Sequence, residues 1–279
     1  MPPSQLRDYQ HRGLDALGEL YADGHSRATL VLPCGTGKTI VAAHLIGELA
    51  ARRVVVFVPT VQLLEQTLRR LAGDNPDARL LAVCSPTALD EDDLPETAAA
   101  ATIDQPVTTD PDAIADTITR TSGPLIVAAT YASSPKIAEA TTAAGIRWGL
   151  LVCDEAHRTA GTADKAWALP LHDDAIPAHR RLAMTATTRI IDVDDDRLPT
   201  DLDADDVQIV SMDSLADYGP HVEPLTFRSA IGDNHLSDYQ IAVVSVPHRR
   251  ALALLSHDQQ HQPSKRDLQS AAAQLALTH

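Results

Sequence analysis

Leu30-Val31-Leu32-Pro33-Cys34-Gly35-Thr36-Gly37-Lys38-Thr39 is an apolar run, a glycine turn and Lys-Thr, followed by an alanine-rich apolar segment from Ile40 to Ala51. The pattern predicts strand, loop, helix. Gly35 and Gly37 let the backbone curl so that successive N–H groups point at one anion. The helix that starts there adds the positive end of its dipole. Lys38 has the reach for terminal phosphates, and the Thr39 hydroxyl can ligate Mg²⁺. The full phosphate-loop pattern G-x-x-x-x-G-K-[ST] is not met, because Leu32 stands where the first glycine belongs. Read alone, the stretch also fits a glycine turn followed by an exposed lysine.

Outward from this stretch, strand and helix patterns alternate. Residues 4–24 carry Leu14, Leu17, Leu20 and Tyr21 at helical spacing, and Gly24 closes them. Val54 to Val58 is apolar throughout, as a buried parallel strand should be, and Pro59 stops it. Val61 to Leu71 is helical, with Leu64, Leu68 and Leu71 on one stripe; Arg79 to Cys84 is a strand. Asp110-Pro111 reads as N-cap and N1 of a helix running to about Thr121, and Ser134-Pro135 opens another to about Ala144. Further strands are expected at Leu125–Ala129, Trp148–Cys153, Arg181–Met184, Val207–Met212 and Tyr239–Val246. Such alternation implies a mostly parallel sheet covered on both faces.

The 279 residues suffice for one large α/β domain or two small ones. Aromatics make up only 3%, so the core must be built from Ala, Val, Leu and Ile. No apolar run approaches membrane-spanning length, and the N-terminus lacks the apolar stretch of a signal peptide. Cys34, Cys84 and Cys153 are far apart and contain no C-x-x-C pair, which suggests reduced thiols in a cytoplasmic protein and argues against zinc. The net charge of −15 is local: of 38 acids, nine lie in residues 90–116 and ten in 192–217. The remainder is near neutral, so the overall charge does not exclude a basic groove for nucleic acid.

Every polar motif falls at a strand's carboxyl end, where ligands bind in sheets of this kind. Gly35–Thr39 follows the first strand, Pro59-Thr60 the second, then come Thr130, Asp154-Glu155 and Thr185-Ala186-Thr187. An apolar strand delivering a carboxylate beside a phosphate loop is how NTPases hold Mg²⁺, a role for Asp154. Glu155 would then polarise the water that attacks the γ-phosphate. Alone, two acids are equally explained as the favoured start of a helix. With Lys38-Thr39 upstream, the nucleotide account is the better one.

Asp154-Glu155-Ala156-His157 is a DEAH box, and with it the chain resembles the N-terminal RecA-like ATP-binding domain of superfamily 2 DEAD/DEAH-box helicases, in the restriction-enzyme and phage-type branch. The resemblance implies a three-layer α/β RecA-like P-loop NTPase fold over residues 4–247; within and after it, composition reads as acidic loops near 85–109 and 190–206 and a helical or disordered tail at 248–279. That branch commonly writes its phosphate loop as Pro33-Cys34-Gly35-Thr36-Gly37-Lys38-Thr39, so Leu32 is no departure. Leu6 to Gln10 is similar to the upstream Q-type element, implying adenine contacts from Gln10 and Arg7. Pro59, Thr60 and Gln66 look like motif Ia, and Thr130 with Tyr131 like the next strand-binding motif, implying contacts to nucleic-acid phosphates. Thr185, Ala186 and Thr187 look like motif III, coupled through His157 to hydrolysis, and Arg158-Thr159 suits the branch. Lys38, Asp154 and Glu155 are the implied catalytic set, with ATP and Mg²⁺ as cofactors and Thr39 and Asp154 on the metal.

The remaining histidines, His172, His179, His221 and His235, show no ligand spacing and read as surface residues. Beyond the last predicted strand no series remains to build a second RecA-like domain, so the expectation is one motor half: truncated, or completed by a separate chain. Thr188, where proline often follows motif III in this branch, is a departure that bears on coupling. Two functions fit: a DNA-dependent ATPase of a helicase or translocase, or a nucleotide- and DNA-binding module with negligible turnover. The sequence leaves DNA versus RNA open. A P-loop kinase or GTPase explains neither the DEAH box nor Thr185–Thr187.

Overall fold

The structure, a computed structural model, describes residues 5–84, 105–162, 167–191 and 209–238. They lie in one unit that extends to Leu236, plus Ser237 and Asp238. Most of both acidic segments, the strand expected at Tyr239–Val246 and the tail fall outside the described residues.

Seven strands form one sheet in the order β3-β4-β2-β5-β7-β1-β9, and every neighbouring pair is parallel. They are β1 (Arg27–Val31), β2 (Arg53–Val58), β3 (Arg79–Val83), β4 (Leu125–Thr130), β5 (Leu150–Cys153), β7 (Arg181–Thr185) and β9 (His221–Val222). Strands β6 (Gly161–Thr162) and β8 (Ile209–Val210) form a separate antiparallel pair. The helices are α1 (Asp8–Ala22), α2 (Lys38–Glu48), α3 (Val61–Asp74), α4 (Pro111–Arg120), α5 (Ser134–Ala144), α6 (Leu215–Tyr218) and α7 (Phe227–Gly232).

Side-chain alternation along the strands divides the core into two layers. Val54, Val56 and Val58 face one cluster with α1, α2 and α3; Val55 and Phe57 face the other, with Ile114 and Ile118 of α4 and Ile137 of α5. That is the expected three-layer α/β architecture. On α3, Leu64, Leu68 and Leu71 are all buried, each contributing about 1.5–3 kcal/mol of apolar transfer. The expected caps form: the Asp110 carboxylate accepts the Asp112 N–H with Pro111 at the first helical position, and the Thr60 hydroxyl accepts the Leu63 N–H. Among the described residues no helix is long and apolar enough to cross a membrane.

One strand expectation is corrected. Of Val207–Met212, the described strand is only Ile209–Val210, and it pairs with Gly161–Thr162 rather than joining the main sheet. The edge place beside β1 goes to β9 instead. The approach is set by Gly219, at φ +69, where an added Cβ would overlap the Arg27 carbonyl. Thr29 N–H then donates to Pro220 O at 2.9 Å.

At the amino end of the sheet, Arg181 is buried and donates to Asp173 Oδ1 at 2.8 Å, while Arg147 donates to Asp173 Oδ2 at 2.9 Å. Burial alone would raise the Asp173 carboxyl, but hydrogen bonds from Arg181, the Ala178 N–H and Arg147 outweigh it and hold it at about 2. This carboxylate therefore adds stability that is present above the unfolded value of 3.8 and lost as pH falls through about 2. Asp173→Asn should be less stable at pH 7 by roughly 1–2 kcal/mol, a figure already discounted because Asp173 is 43% exposed. Urea unfolding checks this; the gap should shrink from about pH 4 downward, and equal stability at pH 7 would contradict it.

Candidate functional site

The order β5-β7-β1 sets the carboxyl ends of three strands side by side. The phosphate-type loop follows β1, Asp154-Glu155 follows β5, and Thr185-Ala186-Thr187 runs off β7 between them. Parallel pairing thus gathers groups more than a hundred residues apart.

The loop is held from both sides. Leu32 is fully buried, and its N–H donates to Thr185 O at 3.0 Å, so the position where the standard pattern writes glycine is filled here by a core side chain. Gly35 and Gly37 sit at φ +77 and +88, and an added Cβ on Gly37 would run into the Gln10 amide. Thr36 closes the turn with its hydroxyl on Pro33 O at 2.7 Å. From α1, Tyr9 Oη and Gln10 Nε2 both donate to Thr36 O at 2.9 Å, and Gln10 Oε1 accepts the Arg7 N–H at 2.9 Å. Gln10 thus links the start of α1 to the loop. Arg7 reaches Tyr9 Oη at 3.4 Å.

A cleft of about 760 Å³ opens beside the loop, lined by Cys34, Lys38, Thr39, Asp154 and Glu155 among others. Lys38 is buried; its Nζ lies 3.6 Å from Glu155 Oε1 and 3.4 Å from Leu32 O. Glu155 occupies the left-handed region at φ 49, an uncommon conformation for a non-glycine residue. It faces Lys38 with one oxygen and His157 Nδ1 with the other, at 3.4 Å. Asp154 is buried, its Oδ1 accepting the Glu155 N–H at 3.0 Å, its N–H on Phe57 O and its carbonyl on Tyr131 Oη. Burial, then the charge of Glu155, push its carboxyl up to about 6 against the pull of Lys38.

His157 Nδ1 lies 3.2 Å from Thr185 Oγ1. That hydroxyl gives its hydrogen to Thr187 O at 2.7 Å, so the imidazole is the donor and carries its proton on Nδ1. Burial pulls the His157 pKa below its usual value, only partly offset by Glu155, so the ring is neutral at pH 7. Lys38, Glu155, His157, Thr185 and Thr187 form one continuous polar chain.

The remaining expected residues divide. Val58 is in register with Thr130, so Pro59-Thr60 and Thr130 emerge together, on the far side of β5 from the loop. The Thr130 hydroxyl pairs with Ser133 at 3.1 Å. Gln66 does not join them: it lines the cleft with the phosphate-type loop. Arg69 and Arg70, one turn along the same face of α3, line it too; their spacing from Gln66 is the signal that would have found them. Arg158 lies 5.6 Å over the Trp167 ring, and Thr159 bonds Tyr218 Oη at 2.7 Å, so both brace the turn after the box. His235 is half-buried and packs on Tyr9 rather than standing free on the surface. Among the described residues no His, Cys, Asp and Glu cluster forms a metal site from protein ligands alone.

The family model described as type III restriction enzyme, res subunit, matches residues 3–190. Comparison with curated proteins returned no match. Among solved structures, a nuclease-deletion mutant of the type ISP restriction-modification enzyme LlaGI, in complex with a DNA substrate mimic, is 25% identical with a TM-score of 0.62, covering 83% of this chain and 21% of that one. The ATP-dependent type ISP enzyme LlaBIII bound to DNA is 25% identical with a TM-score of 0.66, covering 86% and 16%. The chain thus spans about a fifth or less of those enzymes' length.

The raised Asp154 carboxyl carries a stability consequence. Its proton leaves at about 6 in the folded chain and near 3.8 in the unfolded one, so stability falls as pH rises between those values. In metal-free buffer, Asp154→Asn should be more stable than wild type at pH 8 by roughly 2–3 kcal/mol, with the gap closed near pH 4. Urea unfolding at the two pH values measures it; an Asn variant no more stable at pH 8 would contradict the buried-charge account.

Proposed function

The chain belongs to the family of the type III restriction enzyme res subunit, with the fold of a superfamily 2 helicase N-terminal domain, and we propose that it is the ATP- and Mg²⁺-binding DEAH-box ATPase half of a DNA helicase or translocase. The observation that supports this above all is the polar chain running from Lys38 through Glu155 and His157 to Thr185. It joins the phosphate-type loop, the carboxylates and the strand end that would report on them.

The residues fit the ligands. Lys38 makes only long contacts, to Glu155 and to Leu32 O, which leaves its charge available for a phosphate oxygen. Asp154 is a buried carboxylate held up by desolvation, a state that a cation relieves. Thr39 and Asp154 are the side chains that would hold Mg²⁺, which neutralises phosphate charge when bound. Gly35 and Gly37 present backbone N–H groups to the phosphates, the Thr36 N–H being held on Pro33 O, and Lys38 leaves Glu155 for the terminal one. Glu155, freed of Lys38, orients the attacking water and takes its proton. His157 then changes its balance between Glu155 and Thr185, and Thr185 passes that change to Thr187 and the strand-handling loops.

DNA as the partner rests on the two DNA-bound relatives. Pro59, Thr60 and Thr130 are the proposed phosphate contacts, with Gln66 at the border of the nucleotide cleft. Such contacts are independent of base sequence and salt-sensitive. A second RecA-like domain, on the same or another polypeptide, supplies the arginine that raises turnover by about 10³–10⁵-fold in related NTPases. The protein is proposed to work in the cytoplasm.

Lys38→Ala should weaken ATP–Mg²⁺ binding by at least about tenfold, read by calorimetry; a variant that binds as wild type contradicts the site. Steady-state hydrolysis by this chain alone should stay low with and without single-stranded DNA. Strong DNA-stimulated turnover would overturn the need for a second domain.

A further inference from the structure

His235 sits where the described chain returns to the phosphate-type loop. Helix α7 ends in a left-handed Asn234 at φ 58, with His235 N–H on Ala230 O at 2.8 Å and Asn234 N–H on Ile231 O at 3.1 Å. These are the two bonds of a Schellman ending, with asparagine in the position usually given to glycine. The geometry delivers two neighbouring side chains to one place. The His235 ring lies 5.0 Å from the Tyr9 ring at 58°, a tilted aromatic contact. Leu236 packs on the core cluster and reaches within 3.9 Å of the place a Cβ on Gly35 would take.

Tyr9 is itself fixed to the loop by its hydroxyl on Thr36 O, beside Gln10 on the same oxygen. His235, the exposed Arg7 and the half-buried Leu236, backed by the buried Tyr9, thus make an aromatic, cationic and apolar surface on the α1 side of the loop, outside the lining of the cleft that holds Lys38 and the carboxylates. His235 as a residue is only half-buried. Phosphates need neither an aromatic ring nor a leucine; a purine base uses both.

Building on the ATP-binding reading above, we propose that the 234–236 turn forms part of the base pocket, with His235 a specificity-determining residue that stacks on the nucleotide base. The Schellman turn fixes its position before ligand arrives, so little ordering entropy opposes the contact.

The test compares ATP–Mg²⁺ with inorganic tripolyphosphate–Mg²⁺, which has the phosphates but no base, on the full chain by calorimetry. His235→Ala should weaken ATP about tenfold and leave tripolyphosphate unchanged. His235→Phe, which keeps an aromatic face, should restore ATP affinity to within about twofold of wild type. Equal loss of both ligands in His235→Ala means that the residue only supports the loop, and overturns the proposal. Unchanged ATP affinity in His235→Ala, or no rescue by Phe, overturns it too. A wild-type chain that binds neither ligand defeats the nucleotide reading itself, a failure distinct from the others because it appears before any substitution.

Discussion

A buried lysine must have a partner, and here its partner comes from another strand. Lys38 starts the helix after β1, Glu155 follows β5, and they face each other at 3.6 Å although β7 separates their strands in the sheet. Burying an ammonium is costly without a compensating anion. The site carries further local costs: Glu155 is held in a left-handed backbone conformation, and burial and the Glu155 charge push the Asp154 carboxyl up to about 6 against the pull of Lys38. Active sites store such costs, and the sheet tolerates this one because Leu32 and Asp154 are pinned by backbone bonds to Thr185 and Phe57.

The same constraint organises the polar chain beyond the lysine. Glu155 has two oxygens, one toward Lys38 and one toward His157. The Thr185 hydroxyl spends its proton on Thr187, which fixes the His157 tautomer. A ligand that draws Lys38 away changes the charge that Glu155 presents to His157. The rest of the site needs no large movement to register that change, which suits a module whose proposed output is transmitted to strand-end loops.

Much of this was legible in the sequence for physical reasons that are local. Glycines at two left-handed positions, a lysine at a helix start and an apolar run ending in Asp-Glu each announce themselves within a few residues. Strand alternation cannot reveal an all-apolar strand's neighbours, so the order β5-β7-β1 was not readable, although that order is what assembles the site. β9 is two residues long and exists because Gly219 lets the chain approach Arg27, a contact with no periodic signature. Val207–Met212 looked like a sheet strand because it is apolar and β-branched, yet its described strand pairs with a two-residue segment after the box. Tyr9 was read only as part of the Leu6–Gln10 element and His235 as a surface residue, because the contact between them joins positions 226 apart in the chain. Gln66 was grouped with Thr60 through the resemblance to motif Ia, but the turn of α3 carries it to the cleft beside the phosphate-type loop.

The central claim is that Lys38 is held by Glu155 only until a nucleotide takes its place. A crystal structure of the chain with a non-hydrolysable ATP analogue and Mg²⁺ tests it most directly. The account predicts phosphates on the Gly35–Thr39 loop, Lys38 Nζ moved from Glu155 to the terminal phosphate, and the metal beside Thr39 and Asp154. An analogue bound elsewhere, with Lys38 still on Glu155, would contradict it.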